Sequence, residues 1–429
     1  MYAIEPWLLR AAAIAPERAA LHGPSGELSY AALAARARAI AGALRERGVR
    51  GGERVAIELP PGEEFAAALH ACLLIGAVAV PIDLRLGAEE RARRAGCAQL
   101  VLDGLLDGAP LTAPATPAPD APATLMYTSG TTSEPRAVSL TYGNWLANAL
   151  GSAVALGLDL RERWLCPMPL AHVGGLSILI RSAIYATSVV LHERFDTDAV
   201  LAALMSERER ITLVSLVPTM LARLLEAGLH RPPTLRWALL GGGPIAPALL
   251  ERARVAGVLV APTYGMTEAC SQIATHGWPL PGVEVRLSAE GEVLVRGAVV
   301  APGALAADGW LHTGDLGRVD DRGRLAIIGR KADTIITGGE NVAPAEVEAV
   351  LLEHPAVGDA AVNPRVDPEW GEAVVASVVL RDGAHVEPQA LRSFCAARLA
   401  AFKVPKAITV VERLPRTASG KLLRRQLDD

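Results

Sequence analysis

The sequence predicts an α/β protein: a large N-terminal domain of parallel and mixed sheets with packed helices, a small antiparallel subdomain, and a mobile α+β C-terminal domain. Hydrophobic residues make up 51% of the 429 residues and aromatic ones only 4%, as in a core of Ala, Leu and Val. Helical and strand-like segments alternate up to residue 277, and short strands with tight turns follow. The length also exceeds one ordinary core, so several domains are expected.

The first part of the chain shows the alternation directly. Helices are predicted at 31–47 and 63–75 and strands at 54–59 and 77–82, a pattern that indicates a parallel sheet with helices packed outside. Residues 65–82 have no formal charge and approach the length of a membrane span. However, His70, Gly76 and Pro81 interrupt them, so a buried helix followed by a strand is favoured.

Later segments continue the pattern. A linker rich in Pro, Ala and Thr is expected at 109–122. Helices are predicted at 174–185 and 218–227, and strands at 123–126, 164–166, 212–216, 237–240 and 258–261. Strands at 283–287, 292–296 and 324–329 predict the antiparallel subdomain. We therefore expect an N-terminal domain over 1–329, a C-terminal domain over 334–429, and between them residues 330–333, whose polar side chains suit a hinge although a simple domain junction is the alternative.

Charge and cysteine content exclude several classes of protein. The net charge is −4 and no block of like charge occurs, which argues against nucleic-acid binding. Five scattered cysteines without a C-x-x-C pair predict reduced thiols in a cytoplasmic protein, with no structural zinc site. Glu5 and Arg10 interrupt the N-terminal apolar residues, so no signal peptide is expected. The only lysines are Lys331, Lys403, Lys406 and Lys421.

A hydroxyl-rich stretch after the predicted strand 123–126 is the first candidate site. It contains Thr128, Ser129, Gly130, Thr131 and Thr132, and Arg136 follows. Thr141 and Asn144 are candidates for a helix start, so a strand, a turn and a helix are predicted in that order. Backbone N–H groups and hydroxyls of such a turn can donate to phosphate oxygens, and a cation can close the far end. A polar surface loop is the alternative.

Four further residues carry candidate chemistry. Thr267 and Glu268 could offer a hydroxyl to phosphate and a carboxylate to Mg²⁺, although a helix N-terminus explains them equally. Asp315, on a glycine-flanked turn, could accept two hydrogen bonds from a ribose diol or be an ordinary turn residue. His172 has no Ser or Cys nucleophile beside it, so a pocket wall is favoured over a catalytic base.

Taken together and in order, these residues resemble the adenylate-forming superfamily of acyl-CoA synthetases, luciferases and adenylation domains. The matching stretches are the 127–136 loop, 264–268, 313–315, Arg330 and Gly420-Lys421. The resemblance implies ATP, Mg²⁺ and coenzyme A: a carboxylic acid attacks ATP to give an acyl-AMP, and the CoA thiol then gives a thioester. The C-terminal domain rotates between the two steps.

The resemblance also implies roles for individual residues. Lys421 would be the catalytic lysine of the first step, Thr267 would touch the α-phosphate, Glu268 would hold the metal, and Arg136 would act at the phosphates. Asp315 and Arg330 would hold the ribose, and the adenine would lie between Gly242, Gly243 and Tyr264.

Within the superfamily, shorter stretches resemble the o-succinylbenzoate–CoA ligases of menaquinone biosynthesis. They are 141–144, 172–176, 240–244, 271–275 and 338–341, and they place His172, Ser271 and Thr275 in the acid pocket. Alternatives are a ligase or stand-alone adenylation enzyme for another aryl or acyl acid, or a non-catalytic nucleotide-binding protein. No nucleic-acid or membrane partner is expected, and a homodimer is left open.

The chain departs from the superfamily pattern in three places. Ser133 and Arg136 stand where a glycine and a lysine are usual, with Glu134 between them. Ala332 replaces the usual polar hinge residue, and the region 277–312 is shortened. The altered loop is what motivates the non-catalytic alternative, whereas Glu268, Asp315, Arg330 and Lys421 weigh against it.

Overall fold

A computed structural model describes residues 3–23, 26–128, 136–416 and 422–427. The first elements are α1 (Trp7–Ile14), β1 (Ala19–Gly23), β2 (Gly26–Ser29), α2 (Tyr30–Glu46), β3 (Arg54–Ile57), α3 (Glu63–Ile75), β4 (Val78–Pro81), α4 (Ala88–Ala95), β5 (Leu100–Leu102), β6 (Pro122–Tyr127), β7 (Ala137–Thr141) and α5 (Tyr142–Leu156). Strands β5-β3-β4-β6-β7 form one sheet in that order, parallel except for β7. The uncharged segment 65–82 forms α3 and β4 and is buried, as predicted.

The predicted linker after β5 lies against the helices of this sheet. Its Leu111 N–H donates to the carbonyl of Arg38 in α2, and its Ala115 N–H donates to the carbonyl of Leu74 in α3. The linker therefore has no regular secondary structure before β6 but is fixed along two helices. Within the described part of the chain, no helix combines the length and hydrophobicity needed to cross a membrane.

A second, larger sheet follows. Its elements are β8 (Arg163–Cys166), α6 (Val173–Tyr185), β9 (Ser188–Leu191), α7 (Thr197–Met205), β10 (Leu213–Leu216), α8 (Pro218–Glu226), β11 (Trp237–Leu240), α9 (Pro247–Val255), β12 (Val260–Met266), β13 (Ser271–Thr275) and β14 (Trp278–Pro279). The order is β14-β13-β12-β11-β10-β8-β9-β1-β2, and the strands from β12 to β1 are parallel. Several strand ends therefore meet at one edge.

The remaining elements confirm the predicted fold class. Strands β15 (Val283–Leu287), β16 (Glu292–Gly297), β17 (Leu311–Val319) and β18 (Leu325–Arg330) form an antiparallel sheet. The C-terminal unit contains β19 (Ile335–Thr337), β20 (Glu340–Val342), α10 (Pro344–Leu352), β21 (Val357–Asp367), β22 (Gly371–Leu380), α11 (Pro388–Ala396) and β23 (Ala407–Val410). Its sheet runs β20-β19-β22-β21, with β23 parallel to β22 and its own apolar core.

Two local predictions were wrong in arrangement. The loop 128–136 connects the antiparallel strands β6 and β7 instead of leading into a helix, because alternating buried residues extend 137–141 as a strand. Strand β12 continues to Met266, so Tyr264 lies in a strand and not in a loop after it. The helix start at Thr141 and Asn144 is confirmed, because each side chain accepts a hydrogen bond from the backbone N–H of the other.

Candidate active site

The loop after β11 packs tightly against β12. A β-carbon on Gly241 would lie 2.7 Å from Thr263 Cγ2 and 2.9 Å from the Thr263 carbonyl oxygen, so only glycine fits there. Gly242 has a positive φ of 79°, which favours glycine for a different reason. A β-carbon on Gly243 would have open space around it, and its nearest neighbour would be Pro218 Cδ at 3.8 Å. The predicted residues Gly242 and Gly243 thus form a thin, bare backbone surface at the carboxyl edge of the sheet.

The buried carboxylate of Asp315 joins two other residues predicted for the nucleotide site, Tyr264 and Arg330. The Tyr264 hydroxyl donates to Asp315 Oδ2 at 2.7 Å, and Arg330 Nε lies 2.7 Å from Asp315 Oδ1. Asp315 and Arg330 are directly paired on β17 and β18. Burial, followed by the Asp315 charge, raises the pKa of Tyr264, so its hydroxyl stays protonated and donates. This cluster can present a fixed anionic acceptor to hydroxyl groups of a ligand.

Glu292, which the sequence analysis did not select, supports this cluster from β16. Its Oε1 accepts the Gly314 N–H at 3.0 Å, and its Oε2 lies 3.2 Å from Lys331 Nζ. Glu292 therefore ties the turn before Asp315 to the predicted hinge. No local sequence signal marks it, because both partners are brought to it by strand pairing.

The hairpin between β12 and β13 carries Thr267 and Glu268 at its tip, in a 3₁₀ turn over Thr267–Ala269. A β-carbon on Gly265 would lie 1.6 Å from the Ser271 carbonyl oxygen, so the two strands touch through bare backbone. Cys270 and Ser271 both have positive φ, at 52° and 94°, and strain of this kind concentrates at functional sites.

Glu268 is suited to hold a divalent cation. Among the described residues its carboxylate forms no hydrogen bond or ion pair, while its backbone carbonyl accepts the Ala301 N–H at 2.8 Å and fixes its position. The described part of the chain has no cluster of three or more His, Cys, Asp or Glu side chains. One free carboxylate agrees with Mg²⁺, which commonly binds one or two carboxylates together with substrate phosphates and water.

The predicted phosphate loop, residues 128–136, is described only at its two ends. Thr128 donates its backbone N–H to the Arg136 carbonyl at 2.9 Å, so the ends are held together. The Arg136 side chain is exposed and makes no ion pair with the described residues. Ser129, Gly130, Thr131 and Thr132 lie outside the described residues, as does Lys421, so their predicted roles stay predictions.

His172 lies at the N-terminus of α6 and contacts the turn after β4. Arg85 Nη2 is 3.1 Å from His172 Nε2, and Asp83 Oδ2 is 3.6 Å from the same nitrogen. Asp83 and Arg85 are themselves paired at 2.6 Å. Burial lowers the pKa of His172, and the cations Arg85 and Arg94 add to this, against the opposing charge of Asp83. The imidazole is therefore neutral at pH 7, as the pocket-wall interpretation requires.

The structure separates the other two predicted pocket residues. Opposite Thr263 to Met266, β13 contains one extra residue, a β-bulge at Ile273. Because of the bulge, Ser271 shares the Tyr264 face of the hairpin, whereas Thr275 shares the opposite face. Thr275 is buried, and its hydroxyl contacts Thr263 Oγ1 at 3.2 Å and Gln272 Nε2 at 2.8 Å. Its position suits a support for the hairpin, while Ser271 remains the better candidate for ligand contact.

A buried arginine behind β13 was missed by the sequence analysis. Arg181 in α6 is 1% exposed and donates to Asn148 Oδ1, and Asn148 Nδ2 donates to the Gln272 carbonyl at 2.9 Å. Its guanidinium also lies 5.7 Å from the centre of the Trp164 ring. No carboxylate pairs with it in the ranges that the structure describes, and burial lowers its pKa. In the sequence, the one indication of this role is that Arg181 lies on the apolar face of a predicted helix.

The predicted hinge is a 3₁₀ turn over Lys331–Asp333. Asp333 Oδ2 lies 3.4 Å from Arg424 Nε, and Arg424 also donates to Glu348 in α10. Besides the Lys331–Glu292 contact, the two parts of the chain are linked by Arg381 after β22 and Glu226 in α8, at 3.6 Å. The segment just after Lys421 is thus anchored close to the hinge.

Comparisons with known proteins agree with this geometry. The sequence profile of the AMP-binding enzyme family matches residues 8–102 and 95–305, and that of the AMP-binding enzyme C-terminal domain matches 346–421. A 2-succinylbenzoate–CoA ligase of Bacillus subtilis is 39% identical over 476 aligned positions, covering 99% of this chain and 97% of the relative.

Solved structures of o-succinylbenzoate CoA synthetase from Bacillus subtilis share the whole fold at 38% identity. The complex with the acyl-adenylate intermediate superposes with a TM-score of 0.91 over 100% of this chain and 99% of the other. The complex with ATP and magnesium superposes with a TM-score of 0.90 over 99% of each chain. For a double mutant of the same enzyme bound to a product analogue, the TM-score is only 0.72, over 99% of this chain and 98% of the other. The arrangement of this chain therefore resembles the nucleotide-bound forms.

Proposed function

This chain belongs to the AMP-binding enzyme family, and on that premise we propose that it is an AMP-forming 2-succinylbenzoate–CoA ligase. The observation that carries the proposal is full-length similarity to ligases of this substrate at 37–39% identity. The relatives at this identity are ligases, which argues against the non-catalytic alternative, and the Tyr264–Asp315–Arg330 cluster supports a nucleotide site.

In the first half-reaction, a carboxylate oxygen of the acid attacks the α-phosphorus of ATP. The new P–O bond gives the acyl-AMP, and the bond to the departing pyrophosphate breaks. Both reactants are anions, so the chain has to supply positive charge, which we assign to Lys421 and Arg136. Thr267 would donate its hydroxyl to the α-phosphate. Glu268 would hold Mg²⁺, whose charge when bound offsets that of the phosphates.

The nucleoside end is held by the buried cluster. Asp315 would accept hydrogen bonds from the two ribose hydroxyls, and its charge and direction are fixed beforehand by Tyr264 and Arg330. The adenine would rest on the bare backbone of Gly242 and Gly243, with the Tyr264 ring on its other side. Because these groups are already positioned, little ordering entropy remains to be lost on binding.

The acid pocket has to suit an aryl ketone with two carboxylates. One carboxylate reacts, and the other stays charged and needs a donor. We place His172 and Ser271 beside this acid. Arg181 is a buried cation behind β13 that contributes a favourable field, since no carboxylate neutralises it among the described residues. An acid without the second carboxylate would forgo that interaction.

In the second half-reaction, the CoA thiolate attacks the acyl carbon and AMP leaves. We propose that residues 334–429 turn about 330–333 between the steps, as the lower similarity to the product-analogue complex supports. The Lys331–Glu292 contact would have to break in this motion. Because Lys331 is half exposed, breaking the contact costs at most about 1 kcal/mol.

An acid panel tests the substrate. The protein is mixed with ATP, Mg²⁺, CoA and one of several acids: 2-succinylbenzoate, benzoate, 2-acetylbenzoate, malonate or a fatty acid. Pyrophosphate release and thioester formation are followed together. We expect 2-succinylbenzoate to give the highest kcat/KM. 2-Acetylbenzoate lacks the succinyl carboxylate, so its kcat/KM shows how much that group matters. Turnover of another acid without turnover of 2-succinylbenzoate would refute the substrate, and adenylation without thioester formation would point to an adenylation enzyme.

We propose that the enzyme acts in the cytoplasm, that it serves menaquinone biosynthesis, and that it forms a homodimer. Light scattering on the purified chain decides the last of these directly. A mass of one chain, 44.9 kDa, across the working concentration range would rule the dimer out.

A further inference from the structure

The contact between Arg85 and His172 fixes where the imidazole proton lies. Arginine has only N–H donors and stays protonated, so at 3.1 Å its Nη2 donates to His172 Nε2. A nitrogen that accepts a hydrogen bond cannot carry the proton of a neutral imidazole. Nδ1 must therefore carry it.

The surroundings of the ring agree with this assignment. The His172 side chain accepts no hydrogen bond from the backbone N–H groups of α6, although it stands at the N-cap position. Its Nδ1 has no hydrogen-bond partner among the described residues. Asp83 Oδ2, at 3.6 Å, is beyond hydrogen-bond distance of Nε2, and both its oxygens are held by Arg85 at 2.8 and 2.6 Å.

We propose that Arg85 is a positioning residue: clamped by Asp83, it holds His172 as the Nδ1–H tautomer, so that this N–H donates to an oxygen of the acid. This step rests on the proposed function, because the acid is what His172 would contact. The chemistry suits the substrate class, since the carboxylates and ketone of 2-succinylbenzoate only accept hydrogen bonds. In the other tautomer, Nδ1 would carry a lone pair that faces a lone pair of the acid oxygen, and no hydrogen bond could form.

Removal of Arg85 has a defined consequence. In Arg85→Met the donor to Nε2 is lost, and Asp83 becomes the nearest acceptor for an Nε2–H. The imidazole should change to the Nε2–H tautomer, and KM for the acid should rise roughly 10- to 50-fold, as expected for an unmatched buried polar group. KM for ATP should change less than threefold. Arg85→Lys, which keeps a donor and a charge, should retain the parental tautomer and lose less affinity.

Long-range ¹H–¹⁵N correlation spectra of protein with ¹⁵N-labelled histidine test the tautomer without any turnover. The His172→Gln variant assigns the signals, since its spectrum lacks only the two ring-nitrogen signals of His172. The full-length parent should show a protonated Nδ1 and a pyridine-like Nε2. The other pattern in the parent overturns the proposal, even if every Arg85 variant fails to fold.

A pH titration of the same signals separates positioning from simple packing. The charged groups that face the imidazole are Asp83 and Arg85 in the turn after β4 and Arg94 in α4. Loss of the Arg85 cation leaves Asp83 facing the ring, so the His172 pKa should rise in Arg85→Met. An unchanged tautomer and pKa in a folded Arg85→Met protein would refute the positioning role. The acid panel does not affect this result, so failure of the substrate proposal is recognised separately.

Discussion

Replacing Gly265 with alanine should disable adenylation through a steric effect that can be worked out from the hairpin. A β-carbon there would lie 1.6 Å from the Ser271 carbonyl oxygen and 2.6 Å from its carbonyl carbon. Ordinary non-bonded contacts begin near 3.5 Å, so the Ser271 backbone has to move by roughly 2 Å. This displacement would disturb the hydrogen bonds between β12 and β13, where Gly265 is paired with Gln272.

The expected cost has a stability part and a catalytic part. Overpacking typically costs about 1–3 kcal/mol, and each weakened ladder hydrogen bond adds about 1 kcal/mol, so the free energy of unfolding should fall by about 2–5 kcal/mol. The tip with Thr267 and Glu268 follows directly after Gly265. A misplacement of about 1 Å can lower the rate about 100-fold, so kcat for pyrophosphate release should fall by about that factor.

The assay compares pyrophosphate release with ATP and 2-succinylbenzoate in the parent, Gly265→Ala and Gly104→Ala. Gly104 is the matched control, because its added β-carbon meets nothing within 4 Å and its φ lies outside the left-handed range that favours glycine. Thermal unfolding and circular dichroism establish that the variants are folded at the assay temperature. If folded Gly265→Ala kept a kcat within threefold of the parent, the tight hairpin would not be what places Glu268.

Other changes have equally definite outcomes. Lys421→Ala should lower acyl-AMP formation by at least about 10³-fold while ATP binding, measured by calorimetry, changes less than threefold, because its charge matters most in the transition state. Asp315→Asn should raise KM for ATP about 10- to 100-fold, since a charge-assisted hydrogen bond contributes about 1.5–3 kcal/mol, and leave KM for the acid unchanged. Lys331→Met should change the ratio of thioester to adenylate formation less than fivefold in single-turnover experiments, because the Glu292 contact is half exposed. Burial lowers the pKa of His70 to about 4, so the folded state binds fewer protons than the unfolded state between about pH 6.5 and 4, and stability falls as the pH drops through that window. Denaturant titrations should show about 3 kcal/mol of loss there, which His70→Gln removes, and an equal loss in that variant would contradict the assignment.

Elements with local end signals were predictable from the sequence alone. Helix α3 was predicted at 63–75 and is observed at Glu63–Ile75. Glu63 and Glu64 stabilise its first turn, and Gly76 ends it in a left-handed conformation with φ of 71°. Strands β11 and β15 were also predicted at their observed bounds, because apolar or alternating runs end there at turn residues.

Features that depend on pairing between distant segments were not predictable. The hairpin after β6 differs from the predicted order of strand, turn and helix, because the five residues 137–141 pair back onto β6 before the helix begins, and that pairing has no local signal. The bulge at Ile273 is set by the register between β12 and β13, and it decides on which face Ser271 and Thr275 lie. Glu292 and Arg181 likewise acquire their partners only through the fold. Motif residues could be selected from the sequence, but supporting groups outside the motifs, such as Glu292 and Arg181, could not.

The weak links between the two parts of the chain suggest what controls the order of the half-reactions. The Lys331–Glu292 and Arg381–Glu226 contacts involve largely exposed side chains, apart from Glu292, and each contributes about 0–1 kcal/mol. Reversing a two-state equilibrium from 1:99 to 99:1 takes about 5.5 kcal/mol, more than these contacts supply. The C-terminal unit also packs against β18 through α10, and we expect the ligands to supply the preference that these ion pairs do not. In the proposed mechanism, Lys421 would gain its phosphate partners in one orientation only, and departure of pyrophosphate would remove that gain. Release of pyrophosphate would then free the C-terminal domain to turn, so that the thiol step follows adenylation.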